Sequence, residues 1–414
     1  MTFANNNVLS AGQDIGGSYR LEEVLARGGF GVVWSARHLR TGQALAVKVL
    51  DADRAALRPG SIERFMREAQ TTAALRHPNT IRVFDVGGGT TPQEPIYLAM
   101  ERLYGPTLEQ ILQALHAREM TMSEVTAIDL AIPILNSLTE AHAAGLVHRD
   151  LKPSNIMLND VPGAPPIVKV LDFGCTYVRG SQLTVDGNVF GTPGYMSPEQ
   201  IVGDPIDART DLYALGLILY RCITGRPPFI ADQNLALMYQ YTSQDVPDPQ
   251  QYCDREISRP LVNALLKSVA RNQSERFDNA TQMRNALQKA RDGVRASARR
   301  VSTGRNTMVG GLTPSPEEIP KTGLGALTRI VMEQQAGPMW NRLRTESDVS
   351  GHQSPQTAEF AGEVDVRHHR TEKMSKAEIG RVAKQALGTS NRDADAASGD
   401  AKESSDMIPN TART

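Results

Sequence analysis

Four polar residues in two short segments carry the groups that phosphoryl transfer requires. The segment VHRDLKPSN contains Asp150, Lys152 and Asn155, and the segment LDFG contains Asp172. Transfer of a phosphoryl group needs a carboxylate facing the attacking hydroxyl, carboxylate and amide ligands for Mg²⁺, and a cation near the migrating group. The chemistry that these residues could perform is therefore phosphoryl transfer from a magnesium–nucleotide complex.

Both segments resemble the catalytic and metal-binding loops of the eukaryotic-type Ser/Thr protein kinases, and most closely those of the bacterial branch. The resemblance implies that Asp150 accepts the hydrogen bond of the substrate hydroxyl and that Lys152 neutralises charge on the transferring group. It also implies that Asn155 and Asp172 hold the Mg²⁺ ions of Mg-ATP. A lysine two residues after the aspartate, as in LKPSN, is typical of the Ser/Thr class rather than of tyrosine kinases.

A glycine-rich segment between two predicted strands, ARGGFGVV, resembles the loop that covers the nucleotide phosphates in this family. Glycine lets backbone N–H groups approach phosphates because no Cβ intervenes. The first glycine of the family pattern is replaced by alanine, so we expect a somewhat stiffer loop. Taken alone, the motif also fits an ordinary glycine-rich hairpin. The phosphates are expected to contact Ala26, Arg27, Gly28, Gly29, Phe30 and Gly31.

Further nucleotide contacts follow from the same resemblance. Lys48, in the strand-like segment ALAVKVL, takes the place of the lysine that contacts the α- and β-phosphates, and Glu68 is placed to pair with it. The adenine site is assigned to residues that cover the ring, form its floor or offer backbone hydrogen bonds, namely Val33, Ala46, Met157, Glu101 and Leu103.

Activation by phosphorylation is a further expectation. Arg149 directly precedes Asp150, and in kinases with this arginine a phosphorylated activation loop pairs with it. We favour Thr184 as the phosphorylated residue because LTVDGNVFGTP resembles the bacterial pattern. The alternative is a loop that is active without phosphorylation. Other acceptors in this loop are Thr176 and Ser181.

The segment GTPGYMSPEQ resembles the platform on which protein substrates of this family lie. Its Thr192 would hydrogen-bond near Asp150. By the same resemblance, Glu199 pairs with Arg276, and Asp211 braces the catalytic loop. This platform argues against a small-molecule kinase of the same fold, which remains an alternative beside a catalytically weak kinase fold that serves as a scaffold.

The order of predicted elements matches a two-lobed kinase. Strands predicted around Tyr19–Leu21, Val32–Trp34, Ala44–Leu50, Ile81–Val86 and Ile96–Met100 surround one amphipathic helix, and helical patterns dominate beyond Gly105. We predict an α+β protein-kinase fold at residues 16–291, with a small β-rich N-lobe to about residue 102 and a larger helical C-lobe after it. Residues 1–15 are expected to be flexible.

Residues 292–414 form a low-complexity segment that we expect to be mostly disordered, because its small polar residues cannot bury enough apolar surface. A capping box at Ser375 and Glu378, followed by an apolar stripe, predicts a short helix at residues 375–387. This helix is either transient or a docking element for a partner or for the kinase itself.

Composition argues against several other classes of protein, namely nucleic-acid-binding, cysteine-metal, membrane-spanning and secreted proteins. The net charge of −1 gives no global attraction to nucleic acid, and the three cysteines show no paired metal-ligand spacing. No stretch reaches the roughly 18 apolar residues of a membrane helix, and the N-terminus does not resemble a secretion signal. We therefore expect a cytoplasmic protein with no membrane span and no nucleic-acid partner. It would act on protein substrates and could form transient kinase homodimers.

Overall fold

The computed structural model describes residues 9–28, 31–50, 61–89, 94–161, 163–173, 193–305 and 323–335. All of them belong to one compact unit, and the second unit, Leu183–Phe190 with Pro355–Thr414, lies outside the described residues. Within the described ranges, no helix is long and apolar enough to cross a bilayer.

The small lobe is a six-stranded antiparallel sheet with one helix. The strands are β1 (Asp14–Ile15), β2 (Tyr19–Gly28), β3 (Gly31–His38), β4 (Ala44–Leu50), β5 (Val83–Gly87) and β6 (Tyr97–Glu101). Their order in the sheet is β1-β2-β3-β4-β6-β5, and helix α1 (Ser61–Ala74) lies between β4 and β5 in the chain.

Strand β4 explains how this sheet positions a charged residue. Both faces of β4 are covered, and successive side chains alternate between them. Leu45 and Val47 point into the apolar cluster under β2 and β3, whereas Ala46 joins a second cluster on the opposite face. Lys48 shares the face of Ala46, so the alternation directs its ammonium group away from the first cluster.

The large lobe is helical, with a two-stranded sheet near its junction with the small lobe. Its early elements are α2 (Leu108–His116), α3 (Glu124–Ala143), β7 (Ile156–Asn159), β8 (Ile167–Val170), α4 (Pro198–Val202) and α5 (Arg209–Thr224). The later helices are α6 (Asn234–Ser243), α7 (Arg259–Ser268), α8 (Ala280–Arg305) and α9 (Leu324–Gln335).

Helix α5 is buried on nearly all sides, as its continuous apolar sequence predicts. Gly216 allows a close approach to the end of α7, because a Cβ at this position would lie 2.2 Å from the Ser268 hydroxyl oxygen. Helix α3 is capped at its start by Ser123, whose side chain accepts a hydrogen bond from the Thr126 amide at 3.2 Å. These two helices form the centre of the lobe's core.

Ordered structure extends beyond both predicted limits of the domain. At the start, β1 lies within the segment expected to be flexible, and Ile15 is buried beneath the sheet. At the end, α8 continues past Arg291, because Arg291 and Arg295 both pair with Asp129 of α3 at 3.0 Å.

Helix α9 is an ordered element within residues 292–414. It lies inside the segment expected to be mostly disordered, and Leu327 and Val331 belong to the core of the large lobe. The predicted helix at 375–387 is outside the described residues and stays a prediction.

Candidate active site

The three polar residues of the candidate catalytic loop lie in contact with one another. The ammonium group of Lys152 lies 2.8 Å from Oδ2 of Asp150. The Asn155 side chain donates to the Asp150 carbonyl oxygen at 2.8 Å and to its Oδ2 at 3.3 Å. A 3-10 turn over Pro153–Asn155 brings Asn155 back to the aspartate. The spacing D-x-K-x-x-N therefore folds into a loop with a carboxylate, a cation and an amide in contact.

Asp211 of α5 holds this loop through its backbone. Its Oδ2 accepts a hydrogen bond from the His148 amide at 2.8 Å and its Oδ1 from the Arg149 amide at 2.9 Å. His142 Nε2 lies 2.8 Å from the same carboxylate. Burial opposes ionisation of Asp211, but the hydrogen bonds and nearby imidazoles outweigh it, and the pKa of Asp211 lies below its usual range. The predicted brace is present, and it supports Arg149 at a φ of 66°.

His148 connects the catalytic loop to the segment LDFG. Its Nε2 lies 2.7 Å from the Leu171 carbonyl oxygen, and its ring centroid lies 4.8 Å from that of Phe173. The Leu171 amide donates to the Asn155 carbonyl oxygen at 2.9 Å. The two predicted loops are thus joined at adjacent positions, which fixes Asp172 relative to Asn155.

Asp172 faces the small lobe. Its Oδ1 lies 2.7 Å from Nζ of Lys48, which reaches across from β4. Burial alone would raise the pKa of Asp172, but Lys48 at close range, with His148 and Lys152 farther away, holds it below the usual range. The carboxylate is therefore ionised at neutral pH. Glu68 lies on α1, and its side chain is outside the described part of the structure.

The predicted adenine-contacting side chains form one apolar cluster between the lobes. Ala46 and Leu103 are buried in it, and Val33 and Met157 pack at its border. The cluster also contains side chains that the sequence reasoning did not assign to the site, namely Leu25, Ile81, Met100 and Leu171. Two of them could have been identified from their positions in the sequence, because Met100 directly precedes Glu101 and Leu171 directly precedes Asp172.

Glu101 was predicted to contact adenine through its backbone, and its side chain forms further contacts that were not predicted. Its carboxylate pairs with Nζ of the buried Lys169 at 2.5 Å and accepts a hydrogen bond from the Arg82 amide at 2.8 Å. Lys169 lies on β8, three positions before Asp172. This pair ties the strand that leads out of the small lobe to the strand that leads to Asp172.

The glycine-rich segment forms the predicted hairpin. Gly28 pairs with Gly31, and Ala26 pairs with Val33, at the tip of β2 and β3. Gly31 has a φ of 138°, and a Cβ there would lie 2.0 Å from the Val49 carbonyl oxygen, so only glycine fits. Gly29 and Phe30 lie outside the described residues.

The protein kinase domain model matches residues 19–289, which is well over half of the chain. The chain belongs to the protein kinase domain family. The matched range includes every described element from β2 to the first part of α8 and contains both candidate loops.

Curated relatives of this kinase domain include bacterial serine/threonine-protein kinases. PknB of Mycobacterium tuberculosis is 39% identical over 289 residues, covering 69% of this chain and 45% of PknB. The kinase pkn3 of Myxococcus xanthus is 37% identical over 285 residues, covering 67% of this chain and 50% of pkn3. The chain therefore spans about half the length of these relatives.

Among solved structures, the kinase domain of PknI from Mycobacterium tuberculosis has the same fold. Its TM-score with this chain is 0.53 at 23% sequence identity, and the alignment covers 68% of this chain and 99% of that structure. At this identity the likeness shows the fold alone. The α+β two-lobed prediction is confirmed.

The kinase domain also contains the predicted ion pair between Glu199, in the segment predicted to be the substrate platform, and Arg276. Arg276 contacts both oxygens of Glu199 at 2.8 Å, and Thr210 donates to the same carboxylate at 2.6 Å. The residues predicted to be phosphorylated or to form the platform, Thr176, Ser181, Thr184 and Thr192, lie outside the described residues.

The groups present fit a metal held partly by nucleotide phosphates. Among the described residues, no three His, Cys, Asp or Glu side chains cluster as a metal site. Asn155 uses its amide nitrogen for Asp150, and its amide oxygen accepts no hydrogen bond from any described residue. One amide oxygen and the Asp172 carboxylate are hard oxygen ligands of the kind that Mg²⁺ shares with phosphates.

Proposed function

We propose that this chain is a Ser/Thr protein kinase that transfers the γ-phosphoryl group of ATP to hydroxyl groups of proteins. The proposal rests on one observation about the site. Lys152 and Asn155 both contact Asp150, and the neighbouring Asp172 pairs with Lys48. Family membership and the bacterial Ser/Thr kinases that resemble the chain support it.

Asp150 is the candidate base. Its carboxylate would accept the hydrogen bond of the substrate hydroxyl and then its proton, and a positioned base contributes about 10²–10⁴-fold to the rate. Lys152, already 2.8 Å from this carboxylate, would neutralise charge on the transferring group. Asn155 fixes the aspartate by two hydrogen bonds, so that alignment does not depend on the substrate.

Asp172 and Asn155 are the proposed magnesium ligands, and Lys48 the proposed contact of the α- and β-phosphates. When bound, Mg²⁺ neutralises phosphate charge and orients the nucleotide. The lowered pKa of Asp172 keeps this ligand ionised. Once the nucleotide contacts Asp172, the Glu68 carboxylate would pair with Lys48 and orient its ammonium group. Adenine would fill the apolar cluster around Ala46 and Met157, with backbone hydrogen bonds at Glu101 and Leu103.

Regulation by autophosphorylation is part of the proposal. A phosphate on Thr184 would pair with Arg149, whose backbone amide is held by Asp211 next to the catalytic aspartate. An arginine fork matches a phosphate that carries nearly two charges. Thr176 and Ser181 are the other candidates. Full activity of unphosphorylated Thr184→Ala protein would contradict this part.

The test is transfer of labelled γ-phosphate from Mg-ATP to the chain and to a generic protein substrate. Asp172→Ala should abolish transfer, because it removes a proposed metal ligand together with the carboxylate that contacts Lys48. The matched control is Asp278→Ala, which truncates an exposed aspartate paired with Arg209 and should keep wild-type rates.

Two other outcomes would replace the proposal. Nucleotide-dependent thermal stabilisation without any transfer would favour a scaffold with a kinase fold. Transfer to an aminoglycoside or sugar, with none to protein, would favour a small-molecule kinase. Protein substrates, a docking partner for residues 375–387, transient homodimers and a cytoplasmic location remain predictions to be tested beside this assay.

A further inference from the structure

Helix α9 is seated on the large lobe beyond the matched kinase domain. It packs on α2 and also contacts α3. Leu327 and Val331, one turn apart, are 6% and 3% exposed, whereas Arg329 between them is exposed. Thr328 is also buried. The helix therefore presents a defined apolar face to the lobe and a polar face to solvent.

A hydrogen bond and a close approach fix the direction of α9 on this surface. Arg118, two residues beyond the end of α2, donates from its guanidinium group to the Ile330 carbonyl oxygen at 3.1 Å. At the other end of α9, a Cβ on Gly325 would lie 3.9 Å from Pro166 Cδ, so this end lies beside the connection between β7 and β8. The packing of α9 on the large lobe therefore has a fixed direction in addition to its apolar face.

Helix α2 depends on such packing. It has 9 residues, fewer than the roughly 12–15 that an isolated helix needs to be even marginally stable in water. Leu108, Ile111 and Leu115 bury one face in the lobe. Because α9 covers part of the remaining surface, its removal would leave α2 with fewer tertiary contacts.

The first residues of α2 reach the adenine site. Thr107 caps the helix and forms a capping box with Gln110. Thr107 also forms an isolated antiparallel bridge with Met157, the predicted floor of the adenine site. A shift of α2 would therefore move a backbone position that contacts this floor.

The same helix is linked to the substrate platform. Glu109 of α2 accepts two hydrogen bonds from Arg221 of α5, at 2.7 and 3.0 Å. Arg221 also donates to the Tyr195 hydroxyl oxygen at 2.8 Å, and the neighbouring Gly194 carbonyl accepts from Tyr241 at 3.0 Å. Tyr195 belongs to the segment GTPGYMSPEQ. Helix α2 is thus linked to the predicted adenine site through Thr107 and to the predicted substrate platform through Arg221.

We propose that the surface formed by α2 and α3 is a docking groove for an amphipathic helix, and that α9 of the same chain is its occupant. Docking of α9 holds α2 in place and thereby increases the affinity of the cleft for nucleotide and of the platform for protein substrate. The effect on the two substrates rests on the proposed kinase function, whereas the effect on α2 does not.

The test compares the full chain with Leu327→Asp/Val331→Asp, which places two carboxylates on the buried face. Arg329→Asp is the matched control, because it adds the same side chain to the exposed face. Hydrogen exchange of residues 108–118 should accelerate roughly tenfold or more in the double variant and stay unchanged in the control. Arg118→Met, which removes only the bond to the Ile330 carbonyl, should give a smaller acceleration.

Steady-state kinetics give the second measurement. The double variant should raise KM for ATP and for a protein substrate, each by about three- to tenfold, with kcat changed less. Wild-type α9 that exchanges as fast as an unfolded peptide would refute docking itself. An α9 that exchanges freely in the double variant, beside unchanged exchange of α2, would refute the positioning role. Either result stands whether or not the chain transfers phosphate.

Discussion

The replacement Asp211→Asn should disable the catalytic loop while keeping the fold. The two carboxylate oxygens of Asp211 each accept one backbone amide, from His148 at 2.8 Å and from Arg149 at 2.9 Å. Asparagine has one acceptor oxygen, and its NH₂ group would face the second amide donor. One of the two hydrogen bonds is therefore lost whichever way the side chain turns.

The magnitude follows from comparing this loss with backbone strain. A hydrogen bond to a charged group is worth about 1.5–3 kcal/mol, and the remaining bond weakens because the acceptor is now neutral. Arg149 has a φ of 66°, which costs on the order of 1–3 kcal/mol when nothing compensates it. The loss is comparable to the strain, so the loop should relax and misplace Asp150.

A loss of about 2.7 kcal/mol in transition-state stabilisation corresponds to roughly a hundredfold lower kcat/KM. The assay is steady-state phosphorylation of a protein substrate, together with nucleotide binding by titration, which should change by less than about threefold. His142→Gln is the control, because it alters the third partner of Asp211 and leaves both amide bonds in place. Activity of Asp211→Asn within threefold of the wild type would refute the reasoning.

Three further substitutions test other contacts. Gly31→Ala should destabilise the hairpin by about 1–3 kcal/mol and raise KM for ATP, because its Cβ would lie 2.0 Å from a backbone oxygen of the neighbouring strand. Lys169→Leu should lower the free energy of unfolding by about 1.5–3 kcal/mol, because it leaves Glu101 without its cation. Arg276→Leu should cost about 3–5 kcal/mol, because it leaves a buried Glu199 carboxylate unpaired. Burial opposes ionisation of Glu199, but Arg276 holds its pKa below the usual 4.5, so this pair should stabilise the fold above that pH and lose its contribution on acidification through the lowered pKa.

Matched controls exist for each change, and denaturant unfolding measures all of them. Gly293→Ala, in a helix with open space around the Cβ, should not destabilise. Lys289→Leu, at an exposed position, should stay within about 0.5 kcal/mol. Asp278→Ala removes an exposed partner of Arg209 and should cost less than about 1 kcal/mol. Equal effects of a substitution and its control would contradict the contact assigned to it, and an acid limb unchanged by Arg276→Leu would contradict the pKa argument.

The candidate site could be predicted from the sequence because its chemistry depends on residue types at short spacings. Asp150, Lys152 and Asn155 lie within six consecutive positions, so a local turn is enough to bring them together. The pair of Glu101 and Lys169 was not predicted, because the two residues are 68 positions apart and each is an ordinary surface type. Only the fold places them side by side.

The same distinction explains the missed helix. Residues 324–335 form a short amphipathic pattern within a polar segment, and their composition alone does not provide a stable helix. Leu327 and Val331 become buried because α2 offers them a surface, and that surface is more than two hundred residues away in the chain. The sequence around residues 324–335 therefore does not indicate that α2 is their packing partner.

The brace at Asp211 has a consequence for how this kinase domain could evolve. Asp211 contacts His148 and Arg149 through their backbone amides, so the support does not depend on the side chain at position 149. A single codon change could therefore replace the arginine proposed to bind a phosphate without disturbing the loop that holds Asp150. Dependence on phosphorylation could be gained or lost among descendants of this domain while the catalytic geometry is inherited unchanged.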